Sequence, residues 1–186
     1  MPKAWLHSVF LASLGFLAAV PAIAQTGTRP RVNCSALVVS GDPHSTAGAT
    51  WTYHSTDAGV VYALEGILFV PPGSGPFPGV VVSHGKGGTP YQYSAQVARV
   101  MVGWGMVAIG TMYTHAPDAQ DAGHLPDGPD GASDANVARA SKARELLSCV
   151  DVVDTRYLAA HGHSMGAFVT GQMLGRYSSY FRAASH

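Results

Sequence analysis

Ser164 is the residue in this sequence whose surroundings best fit nucleophilic chemistry. It is the central residue of GHSMG, which spans Gly162–Gly166 and has the pattern G-x-S-x-G. The pattern alone is too short to be specific, but here it lies between a predicted strand, residues 156–160, and a predicted helix, residues 167–176. A sharp turn between strand and helix holds a serine hydroxyl at the sheet edge, where it can attack an acyl carbon. The sequence therefore predicts acyl transfer through a covalent intermediate on Ser164.

The residues next to Ser164 are predicted to stabilise the negative charge that develops during such an attack. Gly162 and Gly166 lack the Cβ atoms that would collide where the helix approaches the strand. The helix begins directly after the serine, so its positive N-terminal end faces the reacting oxygen. We expect the backbone N–H of Met165 to be the first donor of an oxyanion hole.

A glycine-rich loop, residues 84–88 (HGKGG), follows another predicted buried strand and is a candidate for the second donor. Gly85 and Gly87 allow the loop to turn its amides inward, and the N–H of Lys86 is the first choice, with that of Gly87 next. The loop does not fit a phosphate-binding motif, since Gly87 stands where Ser or Thr is needed and Pro90 where Gly or Ala is needed. The alternative is a glycine turn without function.

Apolar runs and helical spacings alternate along the chain from residue 79, which is typical of a parallel sheet with right-handed crossovers. The predicted strands of this part are 79–83, 106–111 and 156–160, with a further one starting near 181. The predicted helices are 93–102, 133–149 (with Ser133 as its N-cap) and 167–176. Before this part, residues 50–55 and 60–70 are predicted to form a hairpin, and the proline-rich residues 71–78 a loop. The predicted fold class is α/β.

The segment VVVSHGKGG (residues 80–88), the strand that enters GHSMG, and the order between them resemble the α/β-hydrolase superfamily, and most of all exported serine hydrolases of the dienelactone-hydrolase-like group. The resemblance covers about residue 50 onwards. It implies a mostly parallel sheet with flanking helices, hydrolysis of small-molecule carboxylic esters, and no metal or organic cofactor. The enzyme that names the group uses a cysteine nucleophile where this chain has Ser164. The resemblance therefore implies acyl-ester chemistry but not lactone specificity.

In this superfamily the catalytic triad follows the chain order serine, acid, histidine. After Ser164 the sequence contains no Asp or Glu, and its one later histidine is His186. We therefore expect this sequence to be the N-terminal half of the hydrolase domain, truncated after the nucleophile helix, with little or no turnover of its own. Residues upstream could replace the missing partners only in a rearranged triad; these are His84, His115, His124, His161, His163, Asp118, Asp121, Asp127, Asp130 and Asp134.

Two other functions stay open at this point. A non-catalytic binding module, or a relic of the fold, would keep the architecture without the chemistry. A peptidase of the prolyl-oligopeptidase-like branch would share the same turn around its serine.

The N-terminus has the pattern of a secretory signal peptide. A short basic start precedes the apolar run 6–20, and Ala22-Ile23-Ala24 gives a cleavage site before Gln25. We assign residues 1–24 to the signal peptide, 25–48 to an extended lead-in and 49–186 to the hydrolase domain. Secretion or a periplasmic location follows, with no membrane association after cleavage. An oxidising compartment permits a disulfide between Cys34 and Cys149, although two separate buried thiols fit the sequence as well.

Composition excludes several other classes of protein. Eleven Lys and Arg balance eleven Asp and Glu, so there is no basic surface for nucleic acid.

The Asp- and His-rich residues 115–134 match no metal-binding spacing and are predicted to form a solvated loop at the site entrance. Four aromatic residues are predicted to pack in the core, two of which (Tyr91 and Tyr113) could instead line an acyl pocket; the other two are Tyr93 and Trp104. The oligomeric state cannot be predicted.

Overall fold

The structure, a computed structural model, describes residues 32–117 and 131–186. Seven strands in these residues form one mixed sheet: β1 (Leu37–Ser40), β2 (Ala49–Asp57), β3 (Val60–Phe69), β4 (Phe77–Ser83), β5 (Val107–Thr111), β6 (Val153–Gly162) and β7 (Ala183–Ser185). They lie in the order β1-β2-β3-β5-β4-β6-β7. The α-helices of the same part are α1 (Ala95–Gly103), α2 (Asp134–Leu146) and α3 (Met165–Tyr177).

The sheet is less parallel than predicted. The neighbours among β5, β4, β6 and β7 are parallel, whereas β1, β2, β3 and β5 pair antiparallel. The two-residue connection between β2 and β3 permits only antiparallel pairing, while the parallel neighbours need long crossovers; β3 and β5 are antiparallel although β4 and α1 lie between them in the chain. The expected α/β architecture is confirmed, as a mixed rather than mostly parallel sheet.

Alternate residues of the central strands face two different apolar layers. Val81 of β4 and Ile109 of β5 pack with α2 and α3 on one face. Val80 and Val82 of β4 pack with α1 on the other face. This alternation confirms that the short apolar runs are strands covered on both sides.

The predicted hairpin is confirmed and is longer than the sequence indicated. All of β2 pairs with β3, from Ala49 opposite Leu68 to Asp57 opposite Val60. The two turn residues, Ala58 and Gly59, both have positive φ, of 50° and 84°. Positive φ at both positions is the geometry of a two-residue turn whose twist matches the strands that it joins.

Several predicted boundaries are wrong, and in each case long-range pairing explains the difference. Residues 37–40 of the expected lead-in form β1, because they pair with β2. β4 begins at Phe77 rather than Gly79, and its register with β6 shifts between Phe77 and Gly79, so the ladder passes Pro78, which has no N–H. β6 begins at Val153 instead of Arg156.

The helices also differ from prediction at their starts. A π-helical turn, Pro90–Ser94, precedes α1, which begins at Ala95 rather than Tyr93. α3 begins at Met165, immediately after the serine, and not at Ala167. The predicted N-cap of α2 is confirmed, since the Ser133 side chain accepts a hydrogen bond from the N–H of Asn136.

Cys34 and Cys149 form a disulfide, with Cα atoms 5.4 Å apart. The bond joins the short helical turn before β1 to the turn that follows α2. It therefore attaches the edge of the sheet to the helix layer on one face. Sequence alone could not decide between this bond and two thiols, because it gives no distance across 115 residues.

In the part of the chain that the structure describes, no helix has the length and apolar character needed to cross a bilayer.

Candidate active site

The parallel pair β4 and β6 brings the two predicted motifs together. Ser83, the last residue of β4, lies opposite Gly162, the last residue of β6. The glycine-rich loop and the GHSMG turn therefore leave the sheet side by side at its carboxyl edge, where ligands bind in open α/β sheets. The N–H of His163 donates to the Ser83 carbonyl, which continues the pairing by one more residue.

Ser164 has the strained backbone that a tight strand-to-helix turn requires. Its φ is 54° and its ψ is −121°, a conformation that side-chain-bearing residues rarely adopt. The side chain is exposed, and it makes no helix-capping hydrogen bond although Ser164 stands at the N-cap of α3. Its Oγ also makes no hydrogen bond to any residue in the described ranges. The hydroxyl therefore projects from the sheet edge, as the sequence predicted.

Two glycines allow α3 to approach the sheet this closely. A Cβ added to Gly162 would collide with the Gly166 carbonyl, and one added to Gly166 would collide with the carbonyl of Ser83. Because the obstructing atoms belong to the backbone, they could not rotate away. The geometry of the turn thus depends on glycine at both positions.

We predict that the backbone strain at Ser164 can be measured as stability. Ser164→Gly relieves a strain of about 1–3 kcal/mol, while glycine also adds freedom to the unfolded chain that costs about 0.5–1 kcal/mol. Ser164→Ala removes the same hydroxyl but keeps the strain, so it is the matched control. The glycine variant should unfold in urea with a free energy about 1 kcal/mol higher than the alanine variant. Equal stabilities of the two variants would show that the strain is no larger than the roughly 0.5–1 kcal/mol that glycine costs in the unfolded chain.

The two predicted oxyanion donors lie in suitable surroundings. Met165 is the first residue of α3, a position where an α-helix offers no acceptor to the backbone N–H. A Cβ added to Gly85 would lie 3.0 Å from the Ser164 Cβ and 3.5 Å from its Oγ, so the glycine-rich loop lies against Ser164. The N–H of Gly87 donates to the His115 carbonyl at 3.5 Å, so this second-choice donor is bonded within the fold.

His84 is held in its neutral form and is not placed to act as a base. Its Nδ1 donates to the Gly85 carbonyl at 2.9 Å, and its Nε2 accepts the N–H of Tyr113 at 3.3 Å. Burial, reinforced by nearby His115, lowers the pKa of His84 to about 4, against the opposing hydrogen bond to Gly85. Both ring nitrogens are therefore used within the fold, and the ring has a structural role.

This buried histidine predicts a loss of stability in mild acid. The unfolded chain takes up a proton on His84 near pH 6.5, whereas the folded chain does so only near pH 4. The free energy of unfolding should therefore fall as the pH is lowered from about 6.5 to 4, by at most about 3 kcal/mol from this residue. The unfolding free energy should be measured by urea titration at several pH values in this range, for the protein and for His84→Asn. It should decrease less steeply with falling pH in the variant. If the unfolding free energies of both proteins fell equally with pH, His84 would not be held neutral by burial.

The other upstream candidates do not form a triad with Ser164 in the described residues. His161 is bonded through its two ring nitrogens to Tyr93 and Ser185, each at 2.8 Å. His163 stacks on the Tyr93 ring instead, with centroids 5.2 Å apart. Asp134 pairs with Arg176 at the surface. The remaining candidates, His124, Asp118, Asp121, Asp127 and Asp130, lie outside the described residues, as does most of the predicted entrance loop.

The aromatic residues that were predicted to pack in the core differ in how deeply they are buried. Tyr113 is fully buried and bonded to Ser83 Oγ at 2.7 Å, so it packs as predicted and does not line an open pocket. Trp104, expected in the core, is 70% exposed at the C-terminal end of α1, because α1 ends there and the chain turns toward β5. Tyr91 is 42% exposed in the π-helical turn before α1. No group of three or more potential metal ligands occurs within residues 32–117 and 131–186.

Sequence reasoning missed an apolar surface beside Ser164. Phe168, one turn along α3 from Ser164, is 63% exposed. The chain returns to the described region at Gly131, where an added Cβ would lie 3.1 Å from the sulfur of Met165 and 4.0 Å from Phe168. The spacing of Met165 and Phe168 by three residues on one helix could have indicated a shared face, but not that this face is exposed.

The strand order and the strained serine between β6 and α3 define the fold as that of the α/β-hydrolases. Solved structures agree with this. An esterase from an Arctic intertidal metagenomic library superimposes with a TM-score of 0.56 at 20% identity, over 76% of this chain and 61% of its own. An S-formylglutathione hydrolase from Agrobacterium tumefaciens gives 0.53 at 14% identity, over 78% and 60%. A poly(3-hydroxybutyrate) depolymerase from Bordetella parapertussis gives 0.51 at 16% identity, over 73% and 49%.

The matched region spans about three-fifths or less of the length of these three proteins. At such low identity the likeness establishes the fold alone. No protein-family model and no curated protein sequence matches this chain.

Proposed function

We propose that this chain carries the nucleophile and oxyanion hole of an exported carboxylic-ester hydrolase related to the dienelactone-hydrolase-like group. The observation that carries the proposal is the exposed Ser164 hydroxyl on a strained turn, with the loop containing Gly85 in contact with it. Three of the matched structures are an esterase, an S-formylglutathione hydrolase and a polyester depolymerase, which supports ester chemistry.

The proposed reaction begins when Ser164 Oγ adds to the carbonyl carbon of an ester and loses its proton to a histidine. The carbonyl oxygen becomes an oxyanion that accepts hydrogen bonds from the N–H groups of Met165 and Lys86. Collapse of this intermediate breaks the ester bond, and the leaving alcohol takes the proton back from the histidine. Water then attacks the acyl-enzyme in the same way and releases the acid. No metal ion or organic cofactor is needed for these steps.

We further propose that the acid and histidine of the triad come from polypeptide outside the described residues. The support is that Ser164 Oγ has no hydrogen-bonding partner in residues 32–117 and 131–186. Loss of a triad histidine lowers turnover by about a million-fold in a serine hydrolase of known mechanism. In the α/β-hydrolase order both partners follow the serine, so we propose that residues 118–130 do not supply them either and that the 186-residue chain reacts slowly at Ser164.

The test is covalent labelling with a fluorophosphonate probe, followed by mass spectrometry of the intact protein and its peptides. We expect slow modification at Ser164 only, and none in Ser164→Ala. Modification elsewhere, or none at Ser164 after prolonged exposure, would refute the proposed nucleophile. Rapid labelling would refute the absence of the base while leaving the nucleophile intact.

The substrates that we propose are small esters with an apolar acyl or alcohol group. The exposed Phe168 side chain beside Met165 supports this, since an apolar surface near the nucleophile favours apolar substituents. p-Nitrophenyl butyrate should therefore acylate Ser164 faster than p-nitrophenyl acetate, and the difference should shrink in Phe168→Ser. An unchanged ratio would contradict this preference.

Export is also a proposal. The Cys34–Cys149 disulfide supports it, because such bonds persist in oxidising compartments. We expect the mature protein to begin at Gln25 and to migrate faster on a gel without reductant than after reduction. A cytoplasmic protein that keeps residues 1–24 would contradict export.

A further inference from the structure

We propose that His115 is a positioning residue that fixes the oxyanion loop, holding the amide of Lys86 toward Ser164. This inference rests on the proposed function of Ser164. It assigns a role to a residue that the sequence offered only as a replacement member of the triad.

His115 contacts the loop on both sides of Lys86. Its ring Nε2 donates to the His84 carbonyl at 3.2 Å. Its own carbonyl accepts the N–H of Gly87 at 3.5 Å. The loop is thus attached to one residue at two points, with Gly85 and Lys86 between them.

The His84 ring attaches the same loop a second time. It bonds the Gly85 carbonyl and the N–H of Tyr113, two residues before His115. The rings of His84, Tyr113 and His115 pack against one another with centroids 5.0 to 5.4 Å apart. The glycine-rich loop is therefore held against the segment that follows β5, although glycines alone would leave it mobile.

Asn136 of α2 holds the His115 ring in turn. Its side-chain oxygen accepts from both the N–H and the hydroxyl of Thr114, at 2.9 and 3.0 Å, which fixes the orientation of its amide. The side-chain nitrogen donates to the Gly131 carbonyl at 3.0 Å and lies 3.2 Å from Nδ1 of His115. Since this nitrogen is a donor, Nδ1 must accept, and the ring proton of His115 must be on Nε2.

This arrangement matters because oxyanion donors act through preorganisation. A donor that has to be brought into place during the reaction loses much of its effect, and complete loss of one donor lowers turnover by about 100- to 1,000-fold. Three fully or largely buried residues, Asn136, His115 and His84, link α2 to the loop in one continuous line. The expected function of this line is to fix the Lys86 amide before substrate arrives.

The experiment compares His115→Gln with His115→Leu in the full chain. The Nε2 of glutamine can replace the histidine Nε2 as donor to the His84 carbonyl, whereas leucine fills similar space without donating. Fluorophosphonate labelling of Ser164 at several probe concentrations separates probe binding from the bond-forming step. We expect the leucine variant to lower the bond-forming rate about 10- to 100-fold with little change in probe binding, and the glutamine variant to stay within about threefold of the original protein.

Two further measurements keep the inference testable in every case. If the unsubstituted protein is not labelled at Ser164, the proposed function fails, but faster hydrogen exchange at Lys86 and Gly87 in His115→Leu than in His115→Gln still tests the positioning role. If His115→Leu does not fold, two-bond ¹H–¹⁵N spectra of the unsubstituted protein must show the proton of His115 on Nε2. A proton on Nδ1, equal labelling by both variants, or equal amide exchange in both would overturn the inference.

Discussion

Replacing Gly166 by alanine is expected to abolish labelling of Ser164 and to destabilise the fold by about 3 kcal/mol or more. The added Cβ would collide with the Ser83 carbonyl and lie 2.7 Å from that of His84, so α3 must move away from the end of β4. That movement carries Ser164 and Met165 away from the glycine-rich loop. A displacement of about 1 Å is enough to slow a reaction about 100-fold. Fluorophosphonate labelling and urea unfolding of the same preparation measure both effects.

Gly171→Ala provides the matched control, because it lies in the same helix and a Cβ there meets no atom within 4 Å. Alanine in place of glycine within an exposed helical turn should stabilise the protein by about 0.5–1 kcal/mol and leave labelling unchanged. The two substitutions are chemically identical, so only the local packing differs. If both variants behaved alike, the close approach of α3 to β4 would be wrong.

The strained turn at Ser164 could be predicted from the sequence because its determinants are local. The strand, the glycines and the helix that hold Ser164 lie within a few residues of it, and each follows from residue type and period. The proposed role of His115 could not be predicted in this way. Its partners are His84, 31 residues earlier, and Asn136, 21 residues later. No periodicity in the sequence connects these three positions.

The same distinction between local and distant determinants explains the differences in the fold. The turn of the β2–β3 hairpin and the Ser133 cap were predicted correctly, since each depends on neighbouring residues. β1 was missed because it is only four residues long and its apolar residues do not by themselves indicate a strand. It forms because these residues pair with β2. Lys142 of α2 is buried, and no local pattern in the helix indicates this, because its partner Asp57 lies 85 residues earlier.

This buried pair gives the second large expected effect. Lys142 Nζ lies 2.9 Å from Asp57 Oδ2 and 2.6 Å from Glu145 Oε2, and its side chain is 2% exposed. Lys142→Met removes the cation and leaves the carboxylate of Asp57 buried without it. Such a change costs about 3–5 kcal/mol. We expect urea unfolding to show a decrease of this size in the unfolding free energy. The contact between the β2–β3 hairpin and α2 should be the first to be lost.

Two comparisons separate the loss of charge balance from the loss of packing. Arg156→Met breaks a surface pair with Asp154, in which the arginine side chain is 76% exposed, and should change the unfolding free energy very little. Asp57→Leu combined with Lys142→Met removes both charges and should recover much of the stability lost in the single variant. If the double variant were as unstable as Lys142→Met alone, packing and not the unpaired carboxylate would be the cause.

The pair should also affect the dependence of stability on pH. Burial by itself would raise the pKa of Asp57, but the hydrogen bonds from Tyr53, Lys142 and Ser55 outweigh it and lower the pKa below its usual value. The folded state therefore holds the charged carboxylate more strongly than the unfolded chain does. This contribution is complete above about pH 4 and is lost as the pH falls below it, which is a more acidic range than that of His84. In Lys142→Met the stabilisation from charged Asp57 should shrink, so its unfolding free energy should change less below pH 4 while its decrease between pH 6.5 and 4 remains.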